Sequence, residues 1–323
     1  MDRAVLYVML ILFSFLGTLA IRHVARKKKL LDRPNDRSSH TVATPHGGGL
    51  AIMLAFYAGL GYLYLTGAVE RGLFYALLCG IPVMVISQLD DIYGLSAKGR
   101  FSVQVASALA ALYALDGVDS MAFGVFTLEG GWINVFALLL LLWYTNLYNF
   151  LDGIDGYAGS EAVFVGISGF ILFGSEIGLL VATASVGFLI FNWHKASIFM
   201  GDVGSAPLGF LFAVLTLNDA GSSHFLGWLV LLSLFWFDAT VTLWRRWRNG
   251  ERLSQAHKKH AYQRLYQSGI AHDGVVLRAM GLNLLLLLLL LVMGPERFWA
   301  VLLAAVALLW WAMSYVDRQK AFS

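Results

Sequence analysis

Acidic and amide side chains stand at the end of an apolar stretch in the segment 146–156, which reads Asn-Leu-Tyr-Asn-Phe-Leu-Asp-Gly-Ile-Asp-Gly. Asn146, Asn149, Asp152 and Asp155 recur at three-residue spacing, so a helical segment would place them on one face. A turn that ends a helix would explain the two glycines but neither amide. Because polar groups at membrane depth are costly unless they serve a purpose, the segment predicts a binding site.

Three more carboxylates border apolar stretches. Asp90 and Asp91 are adjacent. Such a pair suits Mg²⁺ binding, or it gives one carboxylate a lowered and the other a raised pKa, because like charges disfavour each other's ionisation. A solvated acidic pair at a helix end is the alternative. Asp202 lies between Gly201 and Gly204, which would let a phosphate and its metal ion come close. A Gly-Asp dipeptide by itself is an ordinary turn.

The segment 244–278 is the most basic of the chain. Arg and Trp interleave at 244–248, which is typical of an anchor at the membrane interface. His257 and His260 could bind zinc, but the glutamate of the metalloprotease motif is missing. Two imidazoles among cations are better suited to phosphate, so this segment predicts a phosphate-binding element.

These polar segments interrupt a chain of 323 residues that is 59% hydrophobic and 13% charged. That composition indicates an integral membrane protein. Apolar runs near the length that crosses a bilayer of roughly 30 Å predict an all-α polytopic protein, one membrane-embedded domain over 1–323 with ten or eleven helices. The eleven runs are 4–21, 49–65, 73–87, 101–115, 135–147, 162–174, 177–191, 207–217, 225–243, 279–292 and 298–315.

Charge placement predicts the orientation. With residue 1 outside, twenty of the 23 Lys and Arg residues fall on the cytoplasmic side, as the positive-inside rule expects. The cytoplasmic loops are then 22–48, 88–100, 148–161, 192–206 and 244–278. The first run is expected to be a retained anchor, because a basic stretch and no cleavage site follow it. The single cysteine, Cys79, excludes an intrachain disulfide.

Three successive glycines, Gly47–Gly49, open the second run. They would let backbone N–H groups approach an anion closely, or they would allow two helices to pack tightly. Both interpretations remain open from the sequence.

Aspartates for a divalent metal, cations and histidines for phosphate oxygens, and glycines for close approach are the recurring parts of phosphoryl transfer. In order and spacing these motifs resemble the polyprenyl-phosphate N-acetylhexosamine-1-phosphate transferase family. The resemblance rests on Asp90-Asp91-Ile92-Tyr93-Gly94 with Lys98 and Gln104, on segment 146–156, on Phe199–Ser205 and on His257 with His260.

The resemblance implies a bacterial enzyme of the inner membrane, with its active site facing the cytoplasm. It would transfer a sugar-1-phosphate from a UDP-linked amino sugar to undecaprenyl phosphate and release UMP. Mg²⁺, with Mn²⁺ as a substitute, would be bound by Asp202 and Asp91, with Asp90 as a third catalytic residue. The implied substrate-binding residues are Asn146, Asn149, Asp152, Asp155, Asn192, Phe199, Lys98, His257, His260 and Arg264.

The His-Lys-Lys-His segment departs from the translocase branch that starts peptidoglycan synthesis, and resembles the branch that starts O-antigen or common-antigen synthesis. We therefore expect a simple N-acetylhexosamine or a 6-deoxy relative as donor, and lipopolysaccharide or a related envelope polysaccharide as the pathway. The partners expected are the two substrates and membrane lipids, with no nucleic acid; a homodimer is left open.

Three rival functions stay open. The translocase of peptidoglycan synthesis is the nearest. A lipid-carrier flippase would also have many spans with polar groups, although its polar residues should lie at mid-span or on both faces. An intramembrane metallohydrolase would use His257 and His260 with zinc, and would need no nucleotide sugar.

Overall fold

The computed structural model describes residues 2–32, 34, 39–40, 42–253, 255 and 257–322. Part of the first predicted cytoplasmic loop, residues 35–38, lies outside this range, as does residue 256 beside His257. The described chain is an all-α membrane protein with two small two-stranded elements.

Fourteen α-helices form the described part of the chain. They are α1 Arg3–Lys27, α2 Gly49–Leu65, α3 Arg71–Leu78, α4 Gly80–Tyr93, α5 Ala97–Ala114, α6 Ile133–Leu151, α7 Tyr157–Phe173, α8 Glu176–Asn192, α9 Asp202–Asn218, α10 His224–Leu231, α11 Ser233–Arg248, α12 Ala261–Gln267, α13 His272–Met293 and α14 Phe298–Gln319. A 3₁₀ turn, Pro295–Arg297, precedes α14. The antiparallel strand pairs are β1 Leu31–Asp32 with β2 Thr44–Pro45, and β3 Ser120–Ala122 with β4 Thr127–Glu129.

Each predicted apolar run lies within a helix or a helix pair, and none extends more than one residue beyond its end. Five segments are long and apolar enough to cross a membrane on their own: α1, the α3–α4 pair, α6, α13, and α14 with its 3₁₀ turn. A sixth forms if α10 and α11, bent by 65° at Leu232, count as one span. The helices α2, α7, α8 and α9 are shorter apolar helices.

Helix α9 is the centre of the bundle. Every residue from Val203 to Leu217 is buried, and α4 and α6 pack against it. Around this centre, α1 packs on α2 and α8, and α13 packs on α7 and α14. A helix that is apolar on all sides is expected only where protein or lipid surrounds it. Because neighbouring helices surround α9, they also hold its first residue, Asp202, in position.

Close contact between two glycines brings the first turn of α9 against the first turn of α2. A Cβ atom on Gly49, the first residue of α2, would collide with the Cα atom of Gly204 in α9. The N–H groups of Gly48 and Gly49 also donate to the carbonyl oxygens of Phe199 and Met200, each at 2.9 Å. Tight packing, one of the two interpretations of the triple glycine, is therefore what the structure shows at Gly49.

Replacing Gly49 by Ala should lower the thermal stability of the purified protein, because the backbone of Gly204 cannot rotate away from the new methyl group. Overpacking of this kind costs about 1–3 kcal/mol. Gly61→Ala, in the same helix, is the matched control, since a Cβ there meets nothing within 4 Å. Thermal unfolding in detergent would contradict the packing role if both variants had the same midpoint.

Candidate active site

Loops from five parts of the chain converge on one cavity of about 490 Å³. Seven of the residues that the sequence predicts for the site line it: Asp91, Asn149, Asp152, Asp155, Asn192, Phe199 and Asp202. The cavity is also lined by residues that the sequence analysis did not select, among them Asp32, His40, His46, Gln263 and His272. The structure thus brings together residues that are up to 240 positions apart in sequence, from Asp32 to His272.

Three helix ends deliver the carboxylates of the cavity. Asp91 lies in the last turn of α4, Asp152 directly follows α6, and Asp202 is the first residue of α9. Asp91 Oδ2 accepts the N–H of Val203 at 3.4 Å, so the first turn of α9 faces this carboxylate. Gly201 has φ +76°, and a Cβ there would lie 2.8 Å from Asp91 Oδ2. A glycine is therefore needed where the chain enters α9.

The carboxylates are crowded enough to change one another's protonation. Burial, and then the negative charges of Asp202, Asp91 and Asp155, raise the pKa of Asp152 to about 8. Like charges share this end of the bundle at a free-energy cost, and a cation among them would relieve it.

Arg100 in the first turn of α5 supplies one such positive charge. Its Nη1 donates to Asp90 Oδ2 at 2.6 Å and to Asp202 Oδ2 at 3.2 Å. Asp90 Oδ1 also accepts the N–H of Leu95 at 2.7 Å. Asp90 is therefore bound by Arg100 and by the backbone of Leu95, and it does not line the cavity. The motif in the sequence predicts a role for Lys98, which is exposed at the start of α5, but not for Arg100 two residues later.

Asp155 lies in a histidine cluster that no local spacing reveals. His194 Nδ1 is 2.9 Å and His272 Nδ1 is 3.2 Å from Asp155 Oδ2, and the other ring nitrogen of His272 is 3.1 Å from the Ser39 carbonyl oxygen. Burial alone would raise the pKa of Asp155, but the hydrogen bonds of both histidines outweigh it and hold that pKa below its usual range. Ligand atoms of these three residues lie within 4.8 Å of one another, and the set could also hold a metal ion.

The amides have different positions. Asn149 donates to Ser205 Oγ at 3.1 Å, which ties the cavity to α9. Asn192 accepts the N–H of Gly156 and donates to the carbonyl oxygen of Ile198, both at 3.0 Å, and so joins two loops that line the cavity. Asn146 donates to Gln104 Oε1 at 2.9 Å and does not line the cavity. The predicted polar stripe therefore divides between the cavity and the α5–α6 contact.

His257, His260 and Arg264 do not line this cavity. His260 is buried, with Nδ1 3.4 Å from Asp238 Oδ1. Arg264 is 2% exposed and donates to Asp317 Oδ1 at 2.6 Å. Their roles in substrate binding, like that of Lys98, stay predictions.

The helical bundle and the acidic cavity at its end define a polytopic membrane protein with carboxylates, amides and histidines around one cavity. Residues 73–219 match the sequence model of glycosyl transferase family 4. A Bacillus subtilis protein named "Probable undecaprenyl-phosphate N-acetylglucosaminyl 1-phosphate transferase" is 29% identical over 94% of this chain and 88% of its own.

Two further relatives have similar names. The undecaprenyl-phosphate alpha-N-acetylglucosaminyl 1-phosphate transferase of Escherichia coli K12 is 27% identical over 80% of this chain and 75% of its own. The decaprenyl-phosphate N-acetylglucosaminephosphotransferase of Mycobacterium tuberculosis H37Rv is 26% identical over 82% and 76%. These matches confirm the resemblance of the motifs to the polyprenyl-phosphate N-acetylhexosamine-1-phosphate transferase family.

His257 should stay neutral down to about pH 5. Burial, and then the positive charges of His260 and Arg246, lower its pKa to about 4. The unfolded chain would take up this proton near pH 6.5, so the protein should lose stability as the pH falls from 6.5 towards 4. Histidine-selective ¹⁵N NMR tests this, with His257→Asn identifying the signal. A His257 signal that titrates near pH 6.5 would contradict the burial of the ring.

Proposed function

We propose that the protein transfers an N-acetylhexosamine 1-phosphate from a UDP-linked sugar to undecaprenyl phosphate and releases UMP. The observation that carries the proposal is one cavity lined by Asp91, Asp152 and Asp202 together with Asn149 and Phe199. The relatives' names give polyprenyl phosphates as acceptors and N-acetylglucosamine as the sugar. N-acetylglucosamine is therefore the first donor to test, and the 6-deoxy N-acetylhexosamines are the second.

The carboxylates suit Mg²⁺, with Mn²⁺ as a substitute. Their oxygen atoms are the hard ligands that these ions prefer, and a cation would relieve the charge crowding that raises the pKa of Asp152. We assign Asp202 and Asp91 as ligands, because each lies at a helix end and lines the cavity. When bound, the ion would neutralise charge on the donor's pyrophosphate.

The residues of the chain would divide the remaining work. Phe199, whose ring lies 4.7 Å from that of His40, would stack on the uracil base. Asn149, Asp152, Asp155 and Asn192 would form the nucleotide wall, where Asn192 already joins two loops. Asp90 would keep the lipid phosphate deprotonated.

In the proposed reaction, an oxygen of the lipid phosphate attacks the β-phosphorus of the donor. The new bond forms the lipid-linked pyrophosphate, and the bond between the β-phosphorus and the bridging oxygen breaks. UMP leaves with that oxygen. In the competing route, an aspartate attacks first and forms a phospho-enzyme. Trapping a phosphorylated aspartate in the absence of lipid acceptor would exclude direct attack.

The expected setting is the bacterial inner membrane, with ten or eleven membrane-spanning helices and the cavity on the cytoplasmic side, where UDP-sugars are found. The bias of Lys and Arg supports this orientation. Initiation of O-antigen or a related envelope polysaccharide is the pathway we propose. The translocase of peptidoglycan synthesis is the alternative within the same chemistry.

A flippase remains the rival from another class. The described polar side chains that line the large acidic cavity come from loops and helix ends. Transport through the bundle would instead favour polar groups along its central helix, and α9 from Val203 to Leu217 is almost wholly apolar.

The function is tested by incubating the purified protein with undecaprenyl phosphate, Mg²⁺ and each of a panel of UDP-sugars. UMP release that requires both substrates is the expected result. UMP release that occurs with UDP-N-acetylmuramoyl-pentapeptide and with no other donor would favour the translocase. Absence of release with every donor would overturn the proposal.

Asp202→Asn should lower the transfer rate by at least about a hundredfold, because a catalytic metal ion stabilises the transition state by several kcal/mol. It should also weaken Mn²⁺ binding measured by electron paramagnetic resonance. Asp116→Asn is the matched control, since Asp116 is exposed and distant in sequence from the described carboxylate cluster. Wild-type turnover in excess EDTA would refute the metal assignment.

A further inference from the structure

Asp317, in the last turn of α14, binds arginines from two other helices. Its two carboxylate oxygens accept hydrogen bonds from Nη1 and Nη2 of Arg245 at 2.8 and 2.9 Å, the paired geometry in which arginine binds carboxylates most firmly. Asp317 Oδ1 also accepts Nη1 of Arg264 at 2.6 Å. Arg245 lies in the last turn of α11 and Arg264 in α12. One carboxylate therefore joins three helices.

Arg264 is attached to the end of α14 at more than one atom. Its Nη1 also donates to the carbonyl oxygen of Lys320 at 3.0 Å, and its Nη2 lies 3.0 Å from the sulfur of Met313. The side chain is only 2% exposed. Loss of one partner from a buried ion pair leaves an uncompensated charge, which is strongly destabilising. Helix α12 therefore depends on Asp317 for its attachment to α14.

The ring of Phe322 covers the same group of cations. The guanidinium carbons of Arg245 and Arg264 lie 5.4 and 5.3 Å from the ring centroid, and the ammonium nitrogen of Lys259 lies 5.5 Å from it. The face of an aromatic ring attracts cations because it carries partial negative charge. The segment after α14 thus strengthens the attachment that Asp317 begins.

Helix α12 forms part of the cavity wall. Gln263 lines the cavity, and its Oε1 accepts the N–H of His260 at 3.2 Å. The hydroxyl group of Tyr262 donates to the carbonyl oxygen of Phe150 at 3.0 Å. It also packs so closely on Gly153, which lines the cavity, that a Cβ there would lie 2.0 Å from the hydroxyl oxygen. A shift of α12 would therefore change the shape of the cavity.

We infer that Asp317 is a positioning residue for donor binding. It acts through Arg264, which holds α12 in place, and α12 presents Gln263 to the cavity. Gln263 is then the side chain of α12 that contacts the bound nucleotide sugar. The inference rests on the proposed function, and it adds Asp317 and Gln263, which lie outside the motifs that predicted the site.

The first test is kinetic and compares the two substrates. Asp317→Asn should raise the KM for the UDP-sugar by on the order of tenfold, because Arg264 loses its charged partner and α12 its fixed position. The KM for undecaprenyl phosphate should stay within about twofold. Asp317→Glu keeps a carboxylate and should recover most of the donor affinity. Glu296→Gln, which removes an exposed carboxylate in the turn before α14, is the matched control. An equal rise in both KM values would overturn the role in donor binding.

A double-mutant cycle separates positioning from a general loss of stability. Gln263→Ala should raise the donor KM by a factor similar to that of Asp317→Asn. If Asp317 acts through Gln263, the double variant should have a donor KM no higher than that of the weaker single variant, because coupled residues are not additive. Two effects that multiply would show that the residues act independently, and the inference would be wrong.

A further test does not depend on turnover. Hydrogen–deuterium exchange, followed by mass spectrometry, should be at least about fivefold faster in the peptide covering 261–267 of Asp317→Asn than in the wild-type protein, with exchange in α2 unchanged. Should Asp317→Asn fail to fold, Phe322→Ala removes only the ring over the three cations and should speed exchange in α12 by a smaller factor.

The exchange result distinguishes the inference from the proposed function. Unchanged exchange in α12, in whichever of the two variants folds, would overturn the attachment through Asp317. Faster exchange in α12 together with an unchanged donor KM would overturn its role in donor binding. Faster exchange with no transfer by the wild-type protein from any UDP-sugar would overturn the proposed function and retain the attachment of α12 to α14.

Discussion

Repulsion among carboxylates at one end of the bundle is the constraint on which the rest of the structure depends. Asp90, Asp91, Asp152 and Asp202 come from three helix ends that meet there. Burial, and then the charges of Asp202, Asp91 and Asp155, raise the pKa of Asp152, so holding the carboxylates together costs free energy that other contacts must offset. Arg100 offsets part of this free-energy cost because it donates hydrogen bonds to two of the carboxylates. The first turn of α9 offsets a further part because the Val203 N–H donates to Asp91. Concentrated negative charge of this kind is typical of functional sites, and it is the basis of the proposal that the cavity binds a divalent cation.

Much of this could be predicted from the sequence, because the signals are local. Apolar runs give the helices, and the polar segments between them give the clusters of Asp90, Asn149 and Asp202. Because the helices are antiparallel neighbours joined by loops, clusters at alternate helix ends must share one face of the bundle. The family followed from the order and spacing of the same motifs. The bend between α10 and α11 could not be predicted from the sequence, because no proline or glycine marks the break at Leu232.

The contacts that complete the site could not be predicted, because they join residues far apart in the chain. Asp155 meets His272, 117 residues away, and nothing in the spacing of either indicates the other. Arg264 also has a partner that the sequence does not indicate. As a cation beside two histidines it suggests a phosphate ligand, yet 53 residues later Asp317 provides its partner, and Arg245 shares that carboxylate. The basic segment near the end of the chain is thus bound to α14, and its charge is partly used within the protein.

The position of the cavity suits both substrates of the proposed reaction, a nucleotide sugar and a polyprenyl phosphate. A nucleotide sugar is soluble in water and needs polar walls, which the loops around Asn192 and Asp155 provide. A polyprenyl phosphate carries its reactive group on a tail that stays in the bilayer. The two can meet only at the end of the helices, where water and lipid are both within reach. Tyr93, two residues after Asp91, and Phe101, at the start of α5, are exposed apolar side chains near these helix ends in sequence. A site deeper in the bundle would exclude the nucleotide, and a site in an extended loop would lose the lipid. The helix ends that concentrate the negative charge are therefore also a place where both proposed substrates could meet.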